Sequence, residues 1–132
     1  MPKAVAYGFG KEVKSTVETV RGKVTEELAK EGFGVLTEID VTATMKKKLG
    51  VDFCKYLILG TCNPQIAHQA LSEELDLGLL LPCNVVLYDA GNGKTTVQIA
   101  DPHAMMEVTG NPKLTPLAEE AKKRLQRVLA AL

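Results

Sequence analysis

The residue types best able to do chemistry cluster in one stretch, Gly60-Thr61-Cys62-Asn63-Pro64, followed by His68 and echoed at Pro82-Cys83-Asn84. The apolar run Tyr56 to Leu59 leads into it as a strand, and a helix is expected to begin on it. A strand-to-helix corner offers free backbone N–H groups, so it is a common seat for an anion, a metal or a substrate. If the Cys62 sulfur faces the helix N-terminus, the helix dipole favours thiolate and prepares a nucleophile or a metal ligand. The competing reading makes Cys62 a small buried hydrophobe, since free cysteine is among the most buried residue types. Cys83 opens the next strand, and the sequence leaves open whether the two thiols share one end of the sheet. Cys54 sits in mid-strand and is expected to pack. The candidate binding set is therefore Thr61, Cys62, Asn63, His68, Cys83 and Asn84, with no catalytic residue, metal or cofactor assigned.

Other chemistries fit less well. Two cysteines with His68 and His103 would suffice for tetrahedral zinc, but neither C-x₂-C nor H-x₃₋₅-H spacing is present. Neither Ser15 nor Ser72 stands in a nucleophile elbow; both fall on expected helices. Gly8-Phe9-Gly10 lacks the third glycine of a dinucleotide loop. Gly93-Lys94-Thr95 opens onto a strand rather than a helix, so it reads as a hairpin and not as a phosphate loop. Asp101-Pro102 reads as a turn, with an approach of Asp101 to the pocket as the alternative. Met105, Met106 and Leu79 to Leu81 either line an apolar pocket or fill core.

The elements that must hold these residues are legible from periodicity. Ala4 to Tyr7 reads as a first strand ended by the Gly8-Phe9-Gly10 turn. Val13, Val17, Val20, Val24 and Leu28 give a helical face over Lys11 to Glu31, closed by Gly32. Phe33 to Val41 alternates as a strand with its odd-numbered residues on one covered face. A short helical turn, Met45 to Leu49, follows with Thr42 or Thr44 as cap and Gly50 as its end. Phe53 to Gly60 is the third strand. Asn63 caps the second full helix with Pro64 at its first position, and Ile66, Ala67, Ala70, Leu71 and Leu75 form its stripe. Asn84 to Tyr88 and Thr95 to Ala100 are strands joined by the turn formers Asp89 to Gly93. His103 to Val108 has no clear period and fits one helical turn. Thr115 caps a final helix with Leu117, Ala121, Leu125, Val128 and Leu132 inward. The order β-α-β-(short α)-β-α-β-β-α describes one α+β domain spanning residues 1–132. Its sheet is mainly antiparallel, and the helix between strands three and four permits one parallel or crossover pair.

Composition bounds the function. A chain of 132 residues buries roughly two thirds of its unfolded surface, enough for one core. With no Trp and few aromatics that core is aliphatic. Sixteen basic residues balance sixteen acidic ones, so no overall field draws the protein to nucleic acid or to an anionic membrane. Lys46-Lys47-Lys48 reads as a solvated helix face. No signal peptide or membrane span is expected, which makes the cytoplasm the default compartment and keeps the three cysteines reduced.

The chain resembles the family called domain of unknown function 302 from about Gly32 to Leu132. The resemblance rests on Tyr56-x-x-Leu59-Gly60-Thr61-Cys62-Asn63-Pro64, Ala67-His68-x-Ala70-Leu71, Gly78-Leu79-Leu80-Leu81-Pro82-Cys83-Asn84-Val85 and the step from Asp101-Pro102 to Met105. The family usually has Ala at the place of Thr61 and often a basic residue at Cys54 or Leu57, which makes Cys54 a poor functional candidate. The resemblance implies a TATA-binding-protein-like fold, a curved antiparallel sheet with helices on one face, in a soluble homodimer from bacteria or archaea. It implies no activity, and fold does not carry function. Neutral charge and the lack of aromatic wedges argue against DNA. The leading expectation is a small-ligand or metal-binding module, regulatory in character, at the strand-three corner. The alternatives are a thiol enzyme or redox protein with Cys62 as nucleophile, and a structural or interaction dimer whose Cys-Asn corners only determine the fold.

Overall fold

The computed structural model describes residues 5–132. Five strands form one open sheet in the order β1-β5-β4-β3-β2: β1 (Gly8–Val13), β2 (Gly34–Asp40), β3 (Tyr56–Cys62), β4 (Cys83–Gly91) and β5 (Lys94–Ala100). Every neighbouring pair is antiparallel, so the parallel pair that the sequence permits is not formed. The helices are α1 (Val17–Lys30), α2 (Val41–Leu49), α3 (Pro64–Glu73), α4 (Pro102–Glu107) and α5 (Thr115–Ala130). Two 3₁₀ turns, Leu75–Leu80 and Pro112–Leu114, complete the chain. No helix among the described residues is long and apolar enough to cross a membrane.

The first strand lies later than expected. Ala4 is outside the described residues, and the supposed Gly8-Phe9-Gly10 turn is the start of β1. Its glycines answer to packing rather than to a turn: a Cβ on Gly10 would collide with the Val97 carbonyl and the Gln98 side chain of β5. Val13 belongs to this strand, and its spacing to Val17 matches a helical step only by accident. α1 begins after Thr16, whose Oγ1 accepts from the Thr19 N–H at 3.4 Å. It ends as foreseen at Gly32 (φ 82°). There the Phe33 N–H donates to Leu28 O at 2.9 Å and the Gly32 N–H to Ala29 O at 3.1 Å, a Schellman closure.

β2 departs from simple alternation. Its register against β3 shifts between Val35 and Thr37. The extra residue of a bulge moves every later side chain to the other face. Glu38 and Asp40 therefore pair with the inward Leu59 and Leu57, while Ile39 pairs with Ile58 on the outer face and is 48% exposed. α2 is longer than expected because Asp40, not Thr42 or Thr44, caps it, accepting from the Ala43 N–H at 3.0 Å. Thr42 instead donates to Cys54 O (2.6 Å) and accepts from the Tyr56 N–H (2.8 Å). These bonds occupy the backbone before Tyr56, so β3 starts there rather than at Phe53. Cys54 is consequently exposed and outside the strand, contrary to its expected packing role.

The inner sheet face carries Leu57, Leu59, Val85, Leu87, Val97 and Ile99, buried against Val17, Val20, Val24 and Leu28 of α1 and Ala121, Leu125 and Val128 of α5. A second cluster joins Ala70 of α3, Leu77, Met106 of α4, Leu114 and Ala118 of α5. Leu75, expected on the α3 stripe, falls in the 3₁₀ turn and is 83% exposed. α5 is led in by Pro112–Leu114, where Asn111 and not Thr115 provides the side-chain cap. The β4–β5 hairpin turns on Asn92 (φ 55°) and Gly93 (φ 74°), as a two-residue turn with positive φ at both positions requires.

Candidate functional site

β3 ends at Cys62 and β4 begins at Cys83, so both thiols lie at one end of the sheet. Thr61 stands directly opposite Cys83, and its Oγ1 donates to Cys83 O at 2.9 Å. Asn63 follows as the α3 cap. Its Oδ1 accepts from the Ile66 N–H at 3.1 Å and its Nδ2 donates to Glu31 O at 3.4 Å, with Pro64 at the first helical position. One buried amide thus starts α3 and ties it to the end of α1.

Beside this corner is a cavity of about 400 Å³. Thr61, Cys62, Asn63 and Cys83 line it from the sheet end, Ile66, Ala67 and Ala70 from α3, Leu77, Leu81 and Pro82 from the connection to β4. Pro102 and Met106 of α4 and Ala118 and Ala121 of α5 close the far side, and Phe33, Leu36 and Thr37 the β2 side. No lining side chain among the described residues is charged. The polar atoms are spent locally: Thr61 on Cys83 O, and Asn63 on Ile66 and Glu31. The Thr37 hydroxyl sits at the exposed β2 edge. The two thiols and the Met106 thioether are what remains inside to distinguish one ligand from another.

Burial pushes both thiols up. Desolvation raises Cys62, and it raises Cys83 to about 11, with the neighbouring Cys62 adding to the effect. The helix-dipole activation considered for Cys62 is therefore outweighed by the loss of water. Near neutral pH both are neutral thiols in an apolar lining, an arrangement unsuited to rapid nucleophilic attack.

The structure brings four of the six sequence candidates, Thr61, Cys62, Asn63 and Cys83, around one cavity. His68 and Asn84 are exposed and lie outside its lining. His103 is elsewhere, with Nδ1 2.6 Å from Glu119 and Nε2 3.1 Å from Glu107, pinning α4 to α5. Asp101 caps α4 and pairs with Lys122 at 3.0 Å rather than entering the cavity. No group of three or more His, Cys, Asp or Glu among the described residues is placed to hold a metal ion. Sequence reasoning missed the α5 wall. The small residues Ala118 and Ala121, one turn apart on the buried face, were its available signal, because they leave the space that larger side chains would fill.

Residues 9–132 match the family described as Domain of unknown function DUF302. Among solved structures the chain is similar to the crystal structure of an uncharacterized conserved protein DUF302 from Bacillus stearothermophilus. The identity is 33%, over 96% of this chain and 98% of that one, with a TM-score of 0.88. No curated protein matches.

Proposed function

For a chain that belongs to the DUF302 family, we propose a binding function: the cavity at the end of β3 takes up a small, uncharged, largely apolar molecule. The carrying observation is the cavity itself, about 400 Å³, with an uncharged lining whose Thr61 and Asn63 polar groups are already paired. That size is in the range of small-molecule sites. A charged or strongly hydrated ligand would lose its water there and gain no partner. The raised thiols weigh against the thiol-enzyme alternative, since the thiolate is the nucleophile.

The test is uptake of a neutral fluorescent probe, N-phenyl-1-naphthylamine, by the full chain and by Ala67→Phe. Ala67 is half-buried at the cavity wall, so a ring there fills space without displacing core. Saturable uptake that is lost in the variant supports the reading. Equal fluorescence with both proteins overturns it.

We propose further that the protein works as a homodimer in the cytoplasm. The support for self-association is the outer sheet face, which α1 and α5 leave open and which presents Ile39, Ile58, Val86, Tyr56 and Tyr88, combined with a net charge of zero that opposes no second copy.

A further inference from the structure

We propose that His103 is a proton-operated latch on the cavity. As an imidazolium it holds α4 against α5; on losing its proton it lets α4 loosen and the bound molecule leave. The proposal rests on the reading that the cavity admits a ligand, and adds what controls its release.

α4 supplies part of the cavity wall through Pro102 and Met106. It is six residues long, too short to hold its place by its own backbone bonds. Its position is therefore set by what it touches. Met106 packs in one cluster with Leu114 and with Ala118 of α5. Asp101, the α4 cap, pairs with Lys122 of α5 at 3.0 Å. The third tie is His103, whose Nδ1 lies 2.6 Å from Glu119 of α5 and whose Nε2 lies 3.1 Å from Glu107 of α4.

Both ring nitrogens thus face carboxylate oxygens, which can only accept. A neutral imidazole has one N–H and serves one of them, whereas the imidazolium has two and serves both. Loss of the proton sets a nitrogen lone pair against a carboxylate at one contact, and the hydrogen bond that survives is no longer an ion pair. Histidine is the side chain type that makes this change between about pH 5 and 8. The other charged groups at this joint are Asp101, whose Oδ1 accepts from the His103 N–H at 2.9 Å, and Lys122, and they are paired with each other. The segment Gly110–Pro112 beside His103 carries no charge. The cavity offers no competing proton, because its lining is uncharged and burial keeps both thiols neutral through this range. The chain's other histidine, His68, is exposed on α3 and serves as the control.

The test times the release of bound N-phenyl-1-naphthylamine, a diarylamine that stays neutral throughout, at about pH 5 and about pH 8, the ends of the histidine range. The full chain should release it about threefold faster at the higher pH, the size that a partly exposed ion pair allows. His103→Gln keeps an N–H but takes up no proton, so the difference should vanish; in His68→Gln it should persist. Glu119→Gln removes the charge on α5 and should shrink the difference, which keeps the test open where His103→Gln fails to fold. Equal release at both pH values from a parent chain that binds the probe overturns the latch and leaves the cavity reading standing. So does a difference that survives in His103→Gln, is undiminished in Glu119→Gln or is lost in His68→Gln. No uptake at either pH overturns both.

Discussion

Taking the Cys83 thiol out of water penalises its ionised form, and this has a consequence for the whole fold. A thiol raised to about 11 in the native state, against 9.0 when unperturbed, favours folding fully below pH 9. As pH rises from there the unfolded chain ionises first, and stability is lost until the folded thiol ionises in turn. Two units of difference correspond to roughly 2–3 kcal/mol across the window. Urea unfolding between pH 8 and pH 11 (the span that brackets both values) should show this fall, and Cys83→Ala should flatten it; an unchanged slope would refute the assignment to Cys83. Asn63 acts oppositely, by holding polar bonds rather than lacking them. It is buried and supplies both the α3 cap and the bond to Glu31 O. Asn63→Ala should cost about 2 kcal/mol by urea denaturation, since a cap and a buried carbonyl's partner are lost together. A loss below about 0.5 kcal/mol, inside the range of an ordinary surface change, would contradict that role. Asn63 and Pro64 were readable from the sequence because capping is decided within four residues. The state of Cys62 was not, because its protonation depends on how much water the folded chain removes from it.

At the level of elements, what the sequence hid was hidden by non-local pairing. The β2 bulge shows in no residue type, since it is defined only against β3; it turns Ile39 outward and brings Glu38 inward toward Arg21 of α1. The glycines of β1 read as a turn until β5 lies against them. By contrast α1, α3, the β4–β5 hairpin and α5 followed from local periodicity, caps and turn residues. The joint between α1 and α5 carries its own prediction. Glu31, the residue after α1, accepts from Arg127 of α5 at 2.8 and 3.1 Å, while Arg124 donates to the Glu31 carbonyl at 3.1 Å. The hydrogen bond from Arg127 holds the Glu31 carboxyl below the ordinary value of 4.5. Its contribution to stability is present above that pH and is lost as pH falls through the lower folded value. Arg127→Ala should therefore remove part of the stability at pH 7 and make the acid limb below pH 4.5 shallower. Thermal melts over an acid series check it, and a parallel downward shift at all pH values would show that Arg127 acts by packing alone.

For the molecule as a whole, the sheet has two unlike faces. The inner one is closed by α1 and α5; the outer one presents Tyr56 stacked on Tyr88 at a ring separation of 5.4 Å, with Ile58 and Val86 beside them. Around it stand Ile39 at 48%, Val51 at 44% and Phe53 at 44% exposure, an apolar margin on the β2 side. Contiguous exposed apolar surface on a small protein marks an interaction face. A second copy is the occupant that the charge balance permits: sixteen cations against sixteen anions leave no net repulsion between copies. A two-fold arrangement would set each face against its own kind. Sedimentation equilibrium of the full chain at micromolar concentration should then give twice the chain mass. Ile39→Lys lies at the outer edge of the face and half in water, so the lysine can keep its charge solvated in the monomer. In the dimer that charge would be buried against an apolar partner, and the variant should sediment as a monomer with an unaltered far-ultraviolet spectrum. A monomeric parent protein would overturn the dimer; a dimer that survives Ile39→Lys would move the interface away from this face. Because Ile39 does not line the cavity, uptake of the neutral probe should be the same in the Ile39→Lys monomer as in the parent, which separates assembly from binding.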